Sequence, residues 1–127
     1  MGADATATGP AMSRAARWLA FAGALLAGAA VALWAYASHG AQGAAQAALQ
    51  SAAAIAFGHG VALAALSRLP QRRLGMAALA AMAAGVLLFS GGIVVAHLAG
   101  VPARTAPFGG TLLIASWLAV AVDALRR

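Results

Sequence analysis

The chain has 127 residues, 64% of them hydrophobic and 8% charged, with a formal net charge of +6. About a quarter of the residues in a soluble domain are charged, so this composition excludes a water-facing globule and points to an integral membrane protein. Cysteine is absent, which removes disulfides, thiolate metal sites and cysteine nucleophiles.

Residues 1–13 are small and polar, with Gly9-Pro10, and read as a flexible tail ahead of one four-helix transmembrane domain over 14–127. Apolar segments then cover about 17–37, 44–66, 74–98 and 108–125. Each approaches or exceeds the roughly 20 residues a spanning helix needs. Only helices or closed barrels satisfy the backbone inside a bilayer, and unbroken apolar runs favour helices. The expected fold is an all-α membrane protein, an up-down-up-down bundle of four transmembrane helices joined by short loops.

The first segment begins at Arg14 and Arg17 and closes on Trp34 and Tyr36, with Ser38-His39-Gly40 beyond it. Ala20, Ala24, Gly28 and Ala32 recur every four residues and predict a packing stripe. A secretory signal cut after Ala35-Tyr36-Ala37 is the competing reading. The apolar stretch is longer than a signal core, so an uncleaved helix is expected. His39 reads as a loop residue that caps the helix end or meets a lipid headgroup.

In the second segment Gln42, Gln46 and Gln50 share one face, with Ser51 beside it. That face predicts polar contacts between helices or a water-lined vestibule. His59, in Phe57-Gly58-His59-Gly60, lies well inside the segment. An intramembrane ionisable side chain is a functional candidate. The alternative is a neutral imidazole bonded to a neighbouring helix, which holds the bundle together.

The third segment carries Ala77, Ala81 and Gly85 at intervals of four, and then Ser90-Gly91-Gly92. Adjacent glycines weaken a helix by about 1 kcal/mol each, and here they predict a notch that admits the helix bearing Gly109-Gly110. In that reading Ser90 bonds across or back along the helix, and Gly91→Leu disrupts assembly. His97 ends the segment on the same side as His39, and the two could approach as a metal or haem pair. Thr105 is the expected cap of the fourth segment, with Pro107 in its first turn. Asp123 is expected to pair with Arg126 and Arg127.

All eight basic residues are arginines at segment ends, a topological pattern and not a nucleic-acid-binding face. Arg14, Arg17, Arg68, Arg72, Arg73, Arg126 and Arg127 fall on one side of the four-span topology and Arg104 on the other. The positive-inside rule then makes both termini cytoplasmic. No phosphate loop, nucleophile elbow or carboxylate pair is present, so no enzyme is expected.

Ala37-Ser38-His39-Gly40, His59 with Val61-Ala62-Leu63, Leu88-Phe89-Ser90-Gly91-Gly92, Ala106-Pro107-Phe108-Gly109-Gly110 and Ser116-Trp117 follow one another in order. This series resembles domain-of-unknown-function family 423, the YgdD-like inner-membrane proteins, which are related to transmembrane protein 256. Departures from the pattern stand at Ile55-Ala56, Val94, Ala106 and Ser116, and His97 has no counterpart in it. The resemblance implies a four-helix protein of the bacterial inner membrane and supplies no biochemical activity or cofactor. The expected role is structural or accessory, through self-association or a larger membrane complex within the lipid bilayer. A small-solute or proton pathway using His59 is the alternative, and a haem- or metal-holding redox anchor the third reading.

Overall fold

Ser13 starts the first helix by accepting the Ala16 N–H on its hydroxyl at 3.1 Å. That cap places the start at Arg14, three residues ahead of the apolar run. The computed structural model describes Gly2, Gly9 and residues 11–127, so most of the tail expected over 1–13 lies outside the described residues. Four apolar helices follow: α1 (Arg14–Gly40), α2 (Gly43–Leu66), α3 (Arg73–Ala99) and α4 (Ala106–Leu125). All four are long and apolar enough to span a bilayer, and no strand occurs among the described residues.

Two glycines take left-handed backbone at the ends of helices. Gly43, with φ of 60°, lets the chain turn back after only Ala41 and Gln42. Gly100, with φ of 66°, closes α3, and the Val101 N–H returns to the Ala96 carbonyl at 3.0 Å. Below α2, the chain leaves the helix through Ser67–Leu69 before Pro70.

The closest packing lies within the pairs α1–α2 and α3–α4, and α2 joins the pairs through α3. In α1 the buried residues are Ala16, Gly23, Ala30 and Ala37, spaced by seven. A seven-residue repeat keeps one seam against a partner over successive turns. This corrects the stripe expected at intervals of four: Ala24, Gly28 and Ala32 are exposed, and a Cβ on Gly28 would meet nothing. In α3 the corresponding stripe is half right, because Gly85 is buried while Ala77 is exposed.

Backbones touch at two crossings. A Cβ on Gly23 would stand 2.6 Å from the Gly60 carbonyl oxygen, and one on Gly60 would stand 2.7 Å from that of Gly23. In the second pair, a Cβ on Gly109 would stand 2.7 Å from the Gly85 oxygen and would also collide with the Phe89 backbone. Between the pairs lies a core of Ala30, Ala56, Leu63, Leu79, Met82, Val86 and Leu113.

The notch in α3 differs from expectation. Leu87–Gly91 forms a π-helical turn between the α-helical parts Arg73–Val86 and Gly92–Ala99. A Cβ on Gly91 would meet nothing, so the close approach expected there is absent. Gly92 is the tight position, against the Thr105 side chain, while Gly110 is only in ordinary contact with the Phe89 ring. The helix that packs close is indeed the one carrying Gly109, but Gly85 and the Phe89 backbone receive it.

Gly60→Leu should lower resistance to unfolding by sodium dodecyl sulfate by about 2–3 kcal/mol, as overpacking does. Gly28→Leu and Gly91→Leu, into open space, should change it by less than about 0.5 kcal/mol.

Candidate functional site

His59 is half-buried on α2, and both of its ring nitrogens are engaged. The Trp117 indole N–H of α4 donates to Nε2 at 3.0 Å. An indole nitrogen can only donate, so Nε2 must present its lone pair. Nδ1 then carries the proton and donates to the Ile55 carbonyl, one turn earlier on the same helix, at 2.7 Å. Together the two bonds specify the Nδ1-protonated tautomer. Its centroid lies 5.9 Å from that of the Trp117 ring at a tilt of 58°. The bond joins α2 to α4, two helices with little other contact.

Ser90 is buried in the π turn and crosses to α2, where its hydroxyl donates to the Ala52 carbonyl at 2.7 Å. Ala52 lies within α2, so its carbonyl accepts this bond on the lone pair that the helix leaves free. Thr105 does not cap α4 with its side chain; its hydroxyl reaches back to the Leu88 carbonyl in the π turn at 2.9 Å. A π turn shifts the hydrogen-bond register, and Thr105 supplies a donor there. Pro107 occupies the first turn of α4, where its missing N–H costs nothing.

At the end of the bundle formed by the α1–α2 turn and the end of α3, histidines take separate places. His97 Nε2 lies 3.4 Å from the Tyr36 hydroxyl, which joins α3 to α1. His39 is exposed and lines a groove with Trp34, Ser38 and Phe57. The partner of His97 is thus Tyr36, which the sequence marks only as an interfacial aromatic. Gln46 and Gln50 donate from α2 to the Ser38 carbonyl and hydroxyl of α1, each at 3.4 Å, whereas Gln42 is exposed. The glutamine face serves as an interhelical contact at two of its three positions.

The opposite end holds a second polar cluster. Asp123 is 2% exposed and receives Arg127 on Oδ2 at 3.1 Å. Arg127 also donates to the Gln71 side-chain oxygen at 3.0 Å, and Gln71 donates in turn to the Leu66 carbonyl at 2.6 Å. Gly75 leaves room for the carboxylate, since a Cβ there would stand 2.8 Å from Oδ2. Of the two expected partners, Arg127 is the one engaged. Oδ1 is buried and finds no hydrogen-bond partner among the described residues. Among the described residues, no three histidine, aspartate or glutamate side chains converge as metal ligands would.

Large apolar side chains cover the exterior, including Trp18, Phe21, Leu25, Leu98, Phe108 and Leu118. In the most apolar stretch of α1 only 11% of residues are buried by the rest of the protein. Such a surface belongs in lipid, and this is a multi-pass helical membrane protein. The chain belongs to the DUF423 family of proteins of unknown function, whose model matches residues 33–110, more than half of its length. The matched stretch contains His39, His59, Ser90, Gly91, Gly92, Pro107, Gly109 and Gly110, and ends before Trp117. No curated protein and no solved structure matches the chain.

Trp117→Phe keeps the ring and removes the donor. A double-mutant cycle with His59→Leu, read by unfolding in detergent, should give a coupling of about 0.6–1.7 kcal/mol, the range of interhelical bonds in lipid. Coupling near zero would show that the bond holds nothing.

Proposed function

We propose that this protein is a small accessory helix bundle of the bacterial inner membrane, which acts by associating with itself or with a larger membrane complex and not by catalysis. The observation that carries this reading is the use made of the polar groups. His59 with Trp117, Ser90 with Ala52, Thr105 with Leu88 and Gln46 with Ser38 all make bonds between segments. A relay or solute path needs groups free to exchange partners, and both nitrogens of His59 are already committed. The exposed small residues Ala24, Gly28 and Ala32 on α1 leave room for another helix to come close.

The orientation proposed is up-down-up-down with both termini in the cytoplasm. Gly23 meets Gly60 while Ser38 meets Gln50, which supports opposed directions for α1 and α2; Gly85 with Gly109 and Gly75 with Asp123 do the same for α3 and α4. Ser13 shares a groove with Arg68 and Gln71, and Arg127 bonds Gln71. Seven of the eight arginines thereby fall at one end, the cytoplasmic one under the positive-inside rule.

Purification of the tagged protein in a mild detergent should give a species larger than the monomer, with a defined partner or a second copy. A lone monodisperse monomer with nothing bound would contradict the accessory role. Since the chain has no cysteine, Gln42→Cys and Leu69→Cys report orientation cleanly. An impermeant thiol reagent added to intact cells should label position 42 and spare position 69, and the reverse pattern would overturn the orientation.

A further inference from the structure

An open groove of about 740 Å³ runs between α1 and α2 at the end of the bundle opposite the arginine cluster. Along α1 it extends from Ala30 to His39, about 13 Å at 1.5 Å per residue. Its chemistry changes along that length. The inner part is floored by Ala53, Ala54 and Gly58 and flanked by the Phe57 and Trp34 rings, while Ser38 and His39 stand at the mouth. The small floor residues make the groove, since a Cβ on Gly58 would meet nothing within 4 Å.

Two donors that line the groove are unengaged. Trp34 is 47% exposed, and neither its indole N–H nor the His39 ring has a hydrogen-bond partner among the described residues. Beside them Ser38 is already engaged: its hydroxyl donates to the Trp34 carbonyl at 2.9 Å and accepts from Gln50, and its carbonyl accepts from Gln46. This end of the bundle also lacks negative charge. Tyr36 against His97 brings the ends of α1 and α3 together, Arg104 follows in the next loop, and no carboxylate lies there among the described residues. The apolar inner part of the groove therefore opens onto unengaged donors, at an end whose one formally charged side chain among the described residues is Arg104, which complements a molecule with a hydrocarbon tail and an anionic head.

We infer that this groove binds one phospholipid, with an acyl chain between Trp34 and Phe57 and the phosphate at the Trp34 indole N–H and the His39 ring. A lipid so held is distinct from the shell that coats any membrane protein, because both the missing side chain at Gly58 and the unengaged donors select it.

Bromine on an acyl chain quenches tryptophan on contact, and Trp34 stands in the groove as its own reporter. The full-length protein in detergent micelles is titrated with dibrominated phosphatidylglycerol, and the signal of Trp34 is isolated by difference from Trp34→Phe. Quenching should saturate at low mole fraction and be reversed by unbrominated phosphatidylglycerol. Gly58→Leu should abolish the saturable part while circular dichroism and elution volume stay unchanged, and His39→Ala should weaken it about tenfold, as loss of one charge-assisted bond does. Quenching that rises linearly with mole fraction and ignores Gly58→Leu would overturn the site. Equal binding of brominated diacylglycerol would overturn recognition of the phosphate. If Gly58→Leu instead converts a dimer to a monomer by sedimentation, the occupant is a second copy and the lipid assignment is wrong.

Discussion

Apolar helices surrounded by apolar lipid gain almost nothing by hiding from it, so this bundle depends on how closely its backbones can approach. Two glycine contacts set that distance: Gly23 with Gly60 between α1 and α2, and Gly85 with Gly109 between α3 and α4. At each, one helix presents bare backbone to a carbonyl of the other, and dispersion contacts accumulate on both sides. Leu63 and Leu113 then close over these crossings, and Leu79, Met82 and Val86 fill the space between the pairs.

Glycine contacts hold helices within pairs, but the pairs must also be fixed to one another. That work falls to the few polar side chains. Ser90 fastens α3 to α2, and Trp117 fastens α4 to His59 of α2, so α2 acts as the common post. Arg127 binds both Asp123 and Gln71, which anchors the end of α4 to the loop below α2. In hydrocarbon an unpaired imidazole or hydroxyl is costly. The same bonds that satisfy these groups therefore fix which helix lies beside which.

Much of this was legible in the sequence, and the failures have physical causes. Helix number follows from apolar length, because the bilayer core sets a minimum span. The packing face of α1 is ambiguous in the sequence because alanine is so common that small residues recur at both four and seven residues. Only the repeat of seven, Ala16 to Ala37, follows a partner, and no local signal distinguishes it from Ala20 to Ala32. Ser90-Gly91-Gly92 reads as a packing notch, yet the segment forms a π turn whose Leu88 carbonyl accepts from Thr105, fifteen residues beyond Ser90. His59 was visible as an anomaly, whereas its partner stands 58 residues away. Trp117 carried a signal of its own in the Ser116-Trp117 pair, but nothing in the chain links that pair to His59.

His59 bonds to both Ile55 and Trp117, and its ring reports whether it serves as a tether or as a proton carrier. Nitrogen-15 NMR of the histidine-labelled protein in lipid bilayers at neutral pH tests this most directly. The bonds to Ile55 and Trp117 require a protonated Nδ1 and a bare Nε2, so one protonated and one unprotonated nitrogen of that assignment are expected for His59. An imidazolium signal, or a proton on Nε2, would contradict the tether and return His59 to the proton-pathway reading.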